Sequence, residues 1–135
     1  MMMIKILLVE DNKIVREGLR ELLNAQADMQ VIGEAAEGIE ALEMLRSGVL
    51  PDILLVDYNM PGIDGIELTR RICAENYPDV KIIILTMHAK RSFVDSALEA
   101  GAKGYLLKDG DFDAMYSGIR KINQHELFIS AGISG

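Results

Sequence analysis

The 135-residue sequence predicts one α/β domain built on a doubly wound, five-stranded parallel sheet. Three observations predict it. Short apolar runs recur along the chain, at Ile4–Val9, 29–33, 53–56, 80–85 and Gly104–Leu107. Three of them contain ILLV, ILLV and IIIL, aliphatic throughout instead of alternating, as strands buried on both faces read. An amphipathic segment follows each run, so strand and helix alternate and right-handed crossovers are expected.

The first strand stops at the acidic pair Glu10-Asp11, and the helix after it gathers Val15, Leu19, Leu22 and Leu23 on one face. Gly18 lies inside that helix at a cost to its stability, which close packing would explain. The second strand runs out into Ala35-Ala36, and Ala41, Leu42 and Leu45 mark the next helix. The third strand stops at Asp57. Its helix carries Leu68 and Ile72, with Cys73 reading as a small core residue. The fourth strand stops at Thr86, before a helix bearing Val94, Ala97 and Leu98. The fifth stops at Lys108, and the last helix has the cleanest period: Phe112, Met115, Tyr116, Ile119 and Ile122. After Gln124 the pattern decays. Residues 1–124 are therefore read as the domain and 125–135 as a C-terminal tail, either a terminus or the start of a linker.

Composition narrows the function classes. Half the residues are hydrophobic, which excludes a disordered linker. Fourteen basic residues against 21 acidic ones give a net charge of −7, unsuited to gripping phosphate backbones. The single cysteine excludes an internal disulfide and a CxxC zinc pair, and fits a reducing compartment. The apolar N-terminal run ends at Glu10 with no cleavage site, and no stretch nears the roughly 20 apolar residues of a membrane span. A cytoplasmic protein with no membrane partner is expected.

Ligands of open α/β sheets bind beyond the carboxyl ends of the strands. There the sequence places Glu10 and Asp11, Asp57, Thr86 and Lys108, and four of five strand ends carry a polar group. Any one of these residues alone would more often cap a helix or shape a turn. Four at one edge, each with a usable role, argue for a site. Clustered carboxylates need a cation, and hard oxygen ligands suit Mg²⁺. A metal, an ammonium and a hydroxyl together would stabilise a phosphoryl group. Asp57, at the end of the central strand, is the obvious nucleophile.

These residues carry a resemblance. The runs Leu7-Leu8-Val9-Glu10-Asp11-Asn12, Asp57-Tyr58-Asn59-Met60-Pro61-Gly62-Ile63-Asp64-Gly65, Leu85-Thr86 and Lys103-Gly104-Tyr105-Leu106-Leu107-Lys108 are similar to the receiver domain of two-component response regulators. Val15-Arg16-Glu17-Gly18-Leu19, Val31-Ile32-Gly33-Glu34-Ala35 and Leu85-Thr86-Met87-His88 resemble its NarL/LuxR-type subfamily. The resemblance implies a flavodoxin-like (βα)5 fold with strand order 2-1-3-4-5. It implies that Asp57 accepts a phosphoryl group from a sensor histidine kinase and that the domain is a switch, not an enzyme. Asp11, Asp57 and the backbone carbonyl of Asn59 would hold Mg²⁺, with Glu10 assisting through water. Lys108 and Thr86 would contact the phosphoryl oxygens. Tyr105 would follow Thr86, its ring packed and its hydroxyl wet. Pro61 and Gly62 would shape the loop behind the acceptor, and Gly65 would open the third helix. Kinase choice would lie near Asn12, Lys13 and Arg16. Output would be transcriptional, through a C-terminal helix-turn-helix that these residues do not include; a stand-alone receiver and a phosphorylation-dependent homodimer are compatible with the same residues.

Two positions depart from the family pattern. Asp109 follows Lys108 where many receivers have a cis proline, and a non-proline cis bond costs roughly 3 kcal/mol. Met87 replaces a residue that is often small, and either narrows the entrance or packs on the fourth helix. His88 is expected on a surface loop and His125 at the end of the last helix. Two other function classes fit less well. An aspartyl-phosphate phosphohydrolase of haloacid-dehalogenase type needs an acid two residues after the nucleophile, where Asn59 stands. A flavin binder needs a phosphate loop after the first strand, where Glu10 and Asp11 would repel it; a GxxxxGK[ST] loop is absent.

Overall fold

The structure, a computed structural model, describes residues 3–108, 111–131 and 133. In chain order its elements are β1 (Ile4–Val9), α1 (Lys13–Asn24), β2 (Met29–Ala35), α2 (Gly38–Arg46), β3 (Ile53–Asp57), α3 (Gly65–Glu75), β4 (Lys81–Thr86), α4 (Arg91–Ala100), β5 (Gly104–Leu107), α5 (Phe112–Asn123) and β6 (Phe128–Ile129). The strands form one parallel sheet in the order β2-β1-β3-β4-β5-β6. The doubly wound order 2-1-3-4-5 is as expected, with a short sixth strand added. The peptide joining Lys108 to Asp109 lies outside the described residues, as do Gly132, Ser134 and Gly135 of the tail.

Side-chain alternation along the buried strands sorts the core into two layers. Leu7, Val9, Leu54, Val56, Ile82 and Ile84 face α2, α3 and α4. Ile6, Leu8, Ile53, Leu55, Ile83 and Leu85 face α1 and α5. The runs 6–9, 53–56 and 82–85 are thus apolar at successive residues because each face has its own helices to meet. β3 is buried along its whole length, Asp57 included. Full burial of each aliphatic side chain contributes roughly 1.5–3 kcal/mol, so β1, β3 and β4 form the rigid base from which the loops project. Arg120 of α5 grips Asp28 between α1 and β2 with two hydrogen bonds, of 2.8 and 3.0 Å, at the amino-terminal edge of the sheet.

Several expectations need correction. Strand β6 lies inside the segment read as a tail. Its backbone completes the open edge of β5: the Phe128 amide donates to the Lys103 carbonyl at 3.2 Å and the Ser130 amide to the Tyr105 carbonyl at 2.9 Å. The Leu107 amide donates to Ser130 Oγ at 3.1 Å. Cys73 is exposed, because the buried stripe of α3 runs through Leu68, Thr69 and Ile72 and turns away before it. Gly18 has open space where a Cβ would stand, so close packing does not explain it. Val15 and Phe112, assigned to apolar helix faces, are exposed in the first turns of α1 and α5, beyond the sheet edge.

Gly118 explains why β6 seats where it does. A Cβ there would lie 2.8 Å from the Phe128 ring and 3.1 Å from Leu106. Gly118→Ala should therefore push the Phe128 ring off α5 and release β6, while β1 to β5 persist. Overpacking of this kind costs about 1–3 kcal/mol. In hydrogen exchange, the amides of Phe128 and Ser130 should lose protection and those of Ile83 and Ile84 should keep it.

Candidate functional site

The sheet order makes β1 and β3 neighbours, while their following helices, α1 and α3, leave on opposite faces. That divergence opens a crevice at the carboxyl edge. Glu10 and Asp11 enter it from the end of β1 and Asp57 from the end of β3, and carboxylate oxygens of all three lie within 4.8 Å of one another. Lys108, following β5, reaches across the end of β4. Its Nζ stands 3.1 Å from Asp57 Oδ2 and 3.5 Å from Glu10 Oε1. Glu10 and Asp57 are buried and Asp11 is exposed.

Backbone geometry fixes the loops. Asn12 caps α1 by accepting from the Val15 amide, and its own amide donates to Glu10 Oε2 at 3.1 Å. The Asn59 amide donates to Asp57 Oδ1 at 3.3 Å. Pro61 and Gly62 are exposed in the loop that follows, with Gly62 at φ 79°. Asp64 caps α3, which Gly65 opens as expected. A Cβ on Gly65 would lie 2.9 Å from the Asp57 carbonyl oxygen, so α3 approaches the acceptor loop as closely as only glycine allows.

Electrostatics follow from burial. Burial pushes the Glu10 carboxyl from its ordinary 4.5 up to about 7. The Asn12 amide and the Lys108 ammonium oppose that rise, while the charge of Asp57 adds to it. Burial works against the ammonium of Lys108, but its hydrogen bond to Asp57 and the charges of Asp57 and Glu10 outweigh it and raise its pKa. The crevice thus carries more carboxylate than one ammonium neutralises. Its donors are hard oxygens and its deficit is positive charge, which fits Mg²⁺.

Thr86 is buried at the end of β4, and its Oγ1 accepts from the His88 amide at 3.1 Å. Tyr105 is wholly buried, and its hydroxyl donates to the His88 carbonyl at 2.7 Å. The expectation of a wet hydroxyl is therefore wrong: β5 points this ring into the core layer beneath α4, and the β4–α4 loop closes over its tip. Burial raises the Tyr105 pKa, while the Thr86 hydroxyl beside it works the other way. His88 is half-buried, not a free surface residue. Its ring stacks on Phe93 at 4.3 Å and meets Tyr58 edge-on at 5.1 Å. Met87 is 61% exposed, in the loop between β4 and α4. Arg16 is half-buried and turned toward Glu10 and Glu34, away from the exposed face expected to choose a kinase. The aromatic trio and the Arg16 contacts join residues whose side-chain types carry no signal of one another, so sequence reasoning missed them.

The family model for the response regulator receiver domain matches residues 6–120. The chain belongs to that family. Among curated proteins it is 41% identical to the transcriptional regulatory protein LiaR of Bacillus subtilis, over 98% of this chain and 62% of LiaR. It is 39% identical to the response regulator UvrY of Escherichia coli, over 98% of this chain and 60% of UvrY. It spans about half to three-fifths of the length of the curated relatives it matches. A LuxR-family two-component response regulator from Aurantimonas superposes with a TM-score of 0.91 at 37% identity, covering 97% of this chain and 92% of that one. Receiver domains are signalling switches that act with sensor kinases and bind Mg²⁺ at an acidic pocket, and this receiver has the acidic cluster for it. Among the described residues, no helix is long and apolar enough to cross a membrane.

Folded Glu10 holds its proton to about pH 7, but the unfolded residue loses it near 4.5. Between these values the folded state binds more protons, so rising pH strips stability. Glu10→Gln should remove this dependence. Its advantage over the parent in urea unfolding should be least below pH 4.5, grow as pH rises, and level off above pH 7.

Proposed function

We propose that this receiver accepts a phosphoryl group on Asp57 from a phosphohistidine of a sensor histidine kinase. The observation that carries the reading is the Asp57 carboxylate itself. It is buried at the head of the central strand, 3.1 Å from the Lys108 ammonium and within the carboxylate cluster. A carboxylate oxygen attacks phosphorus in line, the P–N bond of the donor breaks, and its electron pair stays on the imidazole nitrogen. The transition state is loose, so positioning and charge carry the acceleration. The Lys108 ammonium stabilises the transferred oxygens. Asp11, Asp57 and the Asn59 carbonyl would hold Mg²⁺, with Glu10 assisting through water, and the metal would supply positive charge to the phosphoryl oxygens. The loop bearing Pro61 and Gly62 keeps the Asn59 backbone turned toward Asp57. The chain acts as a cytoplasmic switch and not as an enzyme turning over a free substrate. Its output in the whole protein is transcriptional, through a separate DNA-binding domain like those of LuxR-type regulators, with a phosphorylation-dependent homodimer as the assembled form.

The test is incubation with acetyl phosphate and Mg²⁺, followed by mass mapping of the acyl phosphate. The parent should gain one phosphoryl group at Asp57, Asp57→Asn should gain none, and excess EDTA should abolish the adduct. Phosphate retained in Asp57→Asn at the parent level would sink the assignment.

The readout runs through Thr86 and Tyr105. A phosphoryl group on Asp57 offers strong acceptor oxygens beside the end of β4. Thr86 turning to donate to them gives up the His88 amide, which frees the loop that holds the Tyr105 hydroxyl. Only a bias of a few kcal/mol between two arrangements is needed. Thr86→Ala should still be phosphorylated but lose most of the downstream change. With beryllofluoride standing in for the phosphoryl group, NMR shifts in the parent should extend from Asp57 to His88, α4 and Tyr105, and in Thr86→Ala should stop near Asp57.

A further inference from the structure

Arg16, in the first turn of α1, sits beside the acidic loop without joining its chemistry. Its guanidinium NH1 donates to the main-chain carbonyl of Glu10 at 2.8 Å. Its Nε stands 3.5 Å from Glu34 Oε1, and Arg20, one turn on, reaches Glu34 Oε2 at 2.9 Å. Glu34 is on β2, where it pairs in register with Leu8. Arg16 is thus pinned at both ends of its guanidinium, to a strand on one side and to the peptide leaving β1 on the other.

That peptide joins Glu10 to Asp11. The Glu10 amide still belongs to the sheet, donating to the Ala35 carbonyl at 3.0 Å. Strand β2 ends at Ala35, so the Glu10 carbonyl lies past the last strand pairing. A buried carbonyl there requires a donor, and Arg16 provides a charged one. Asp11 lies next along the chain and is exposed. A carboxylate oxygen of Asp11 still lies within 4.8 Å of those of Glu10 and Asp57, with no burial to hold it there. Its place beside them follows the plane of the Glu10–Asp11 peptide, whose oxygen accepts the Arg16 hydrogen bond.

We infer that Arg16 is a positioning residue for the acidic site: by holding the Glu10 carbonyl, anchored through Glu34 on β2, it orients Asp11 for divalent-cation binding. The inference rests on the metal-site reading given above. It uses a hydrogen bond that no other side chain in the described structure makes to that carbonyl. Residues that orient metal ligands without touching the metal typically contribute 10- to 100-fold in affinity.

The experiment is a Mg²⁺ titration of the unphosphorylated chain, followed by the amide shifts of Asp57, Tyr58 and Asn59. Urea unfolding of each variant records that it is folded. Arg16→Met should weaken Mg²⁺ about tenfold. Arg16→Gln, which keeps a polar but shorter side chain, should weaken it to a similar extent and serves if the methionine variant does not fold. Arg20→Met also removes an ion pair to Glu34 but does not touch Glu10, and should bind within about twofold of the parent. Asp11→Ala should lose most binding. Arg16 variants that bind like the parent while Asp11→Ala fails would overturn the positioning role and leave the metal site standing. So would Arg20→Met weakened as much as Arg16→Met, since the effect would then be a general loosening of α1. Parent-like binding by Asp11→Ala would overturn the metal-site reading and this inference with it.

Discussion

Two buried carboxylates, Glu10 and Asp57, face one ammonium, that of Lys108, at the carboxyl edge of the sheet. Placing like charges there is costly, and each surrounding feature bears on that cost. The strands must be parallel, because only then do successive strand ends arrive at one edge. They must be held by layers on both faces, because the charges supply no cohesion of their own. Lys108 must cross the end of β4 to reach Asp57, and Thr86, the residue it passes, is small. Glu10 meets the cost partly by holding its proton until about pH 7. A protein that keeps such a cluster has given up stability to hold like charges together at one edge of the sheet.

The sheet and the edge were legible in the sequence because both leave one-dimensional traces. An aliphatic run that does not alternate can only be a strand with two apolar faces, and an acid or a lysine ending such a run must lie at the carboxyl edge. Asp57, Glu10, Asp11, Thr86 and Lys108 were found this way, and the structure brings all five to that edge. What escaped has no such trace. β6 is two residues long and is held by backbone groups of β5 and by the absence of a side chain at Gly118. Cys73 lies one residue past the buried Ile72, and one residue turns a helix by about 100°, enough to carry a side chain off the buried stripe. The Tyr105 hydroxyl seemed free because its partner is a main-chain carbonyl of a loop on another strand, which residue types do not reveal.

The β4–α4 loop is where the site meets the rest of the molecule. His88 accepts from Tyr105 through its carbonyl and donates to Thr86 through its amide, so one residue holds both hydroxyls. Its ring meets both Phe93 of α4 and Tyr58, which directly follows Asp57, and those two rings also meet edge-on at 5.4 Å. Aromatic contacts of this kind contribute about 0.5–1.5 kcal/mol each beyond their buried area. That is comparable to the single hydrogen bond from the His88 amide to Thr86, so neither dominates the balance. A loop held by several interactions of similar, modest strength can change partners as a unit when one is outbid. A loop held by a deeply buried core could not.

Strand β5 carries this coupling outward. Its Tyr105 side chain reaches the His88 loop, while the Tyr105 carbonyl accepts from Ser130 and the Leu107 amide donates to Ser130 Oγ. The same four-residue strand therefore holds the loop above Thr86 on one side and the chain beyond α5 on the other. Leu107 directly precedes Lys108, whose ammonium contacts Asp57. The contacts of Lys108 with Asp57 and of Tyr105 and Leu107 with Ser130 therefore lie on consecutive stretches of one short segment. The tie at β6 consists of backbone hydrogen bonds and one aromatic ring seated against Gly118, a far smaller apolar contact than the layers that bury β1, β3 and β4. By that comparison β6 is the least firmly held strand of the sheet.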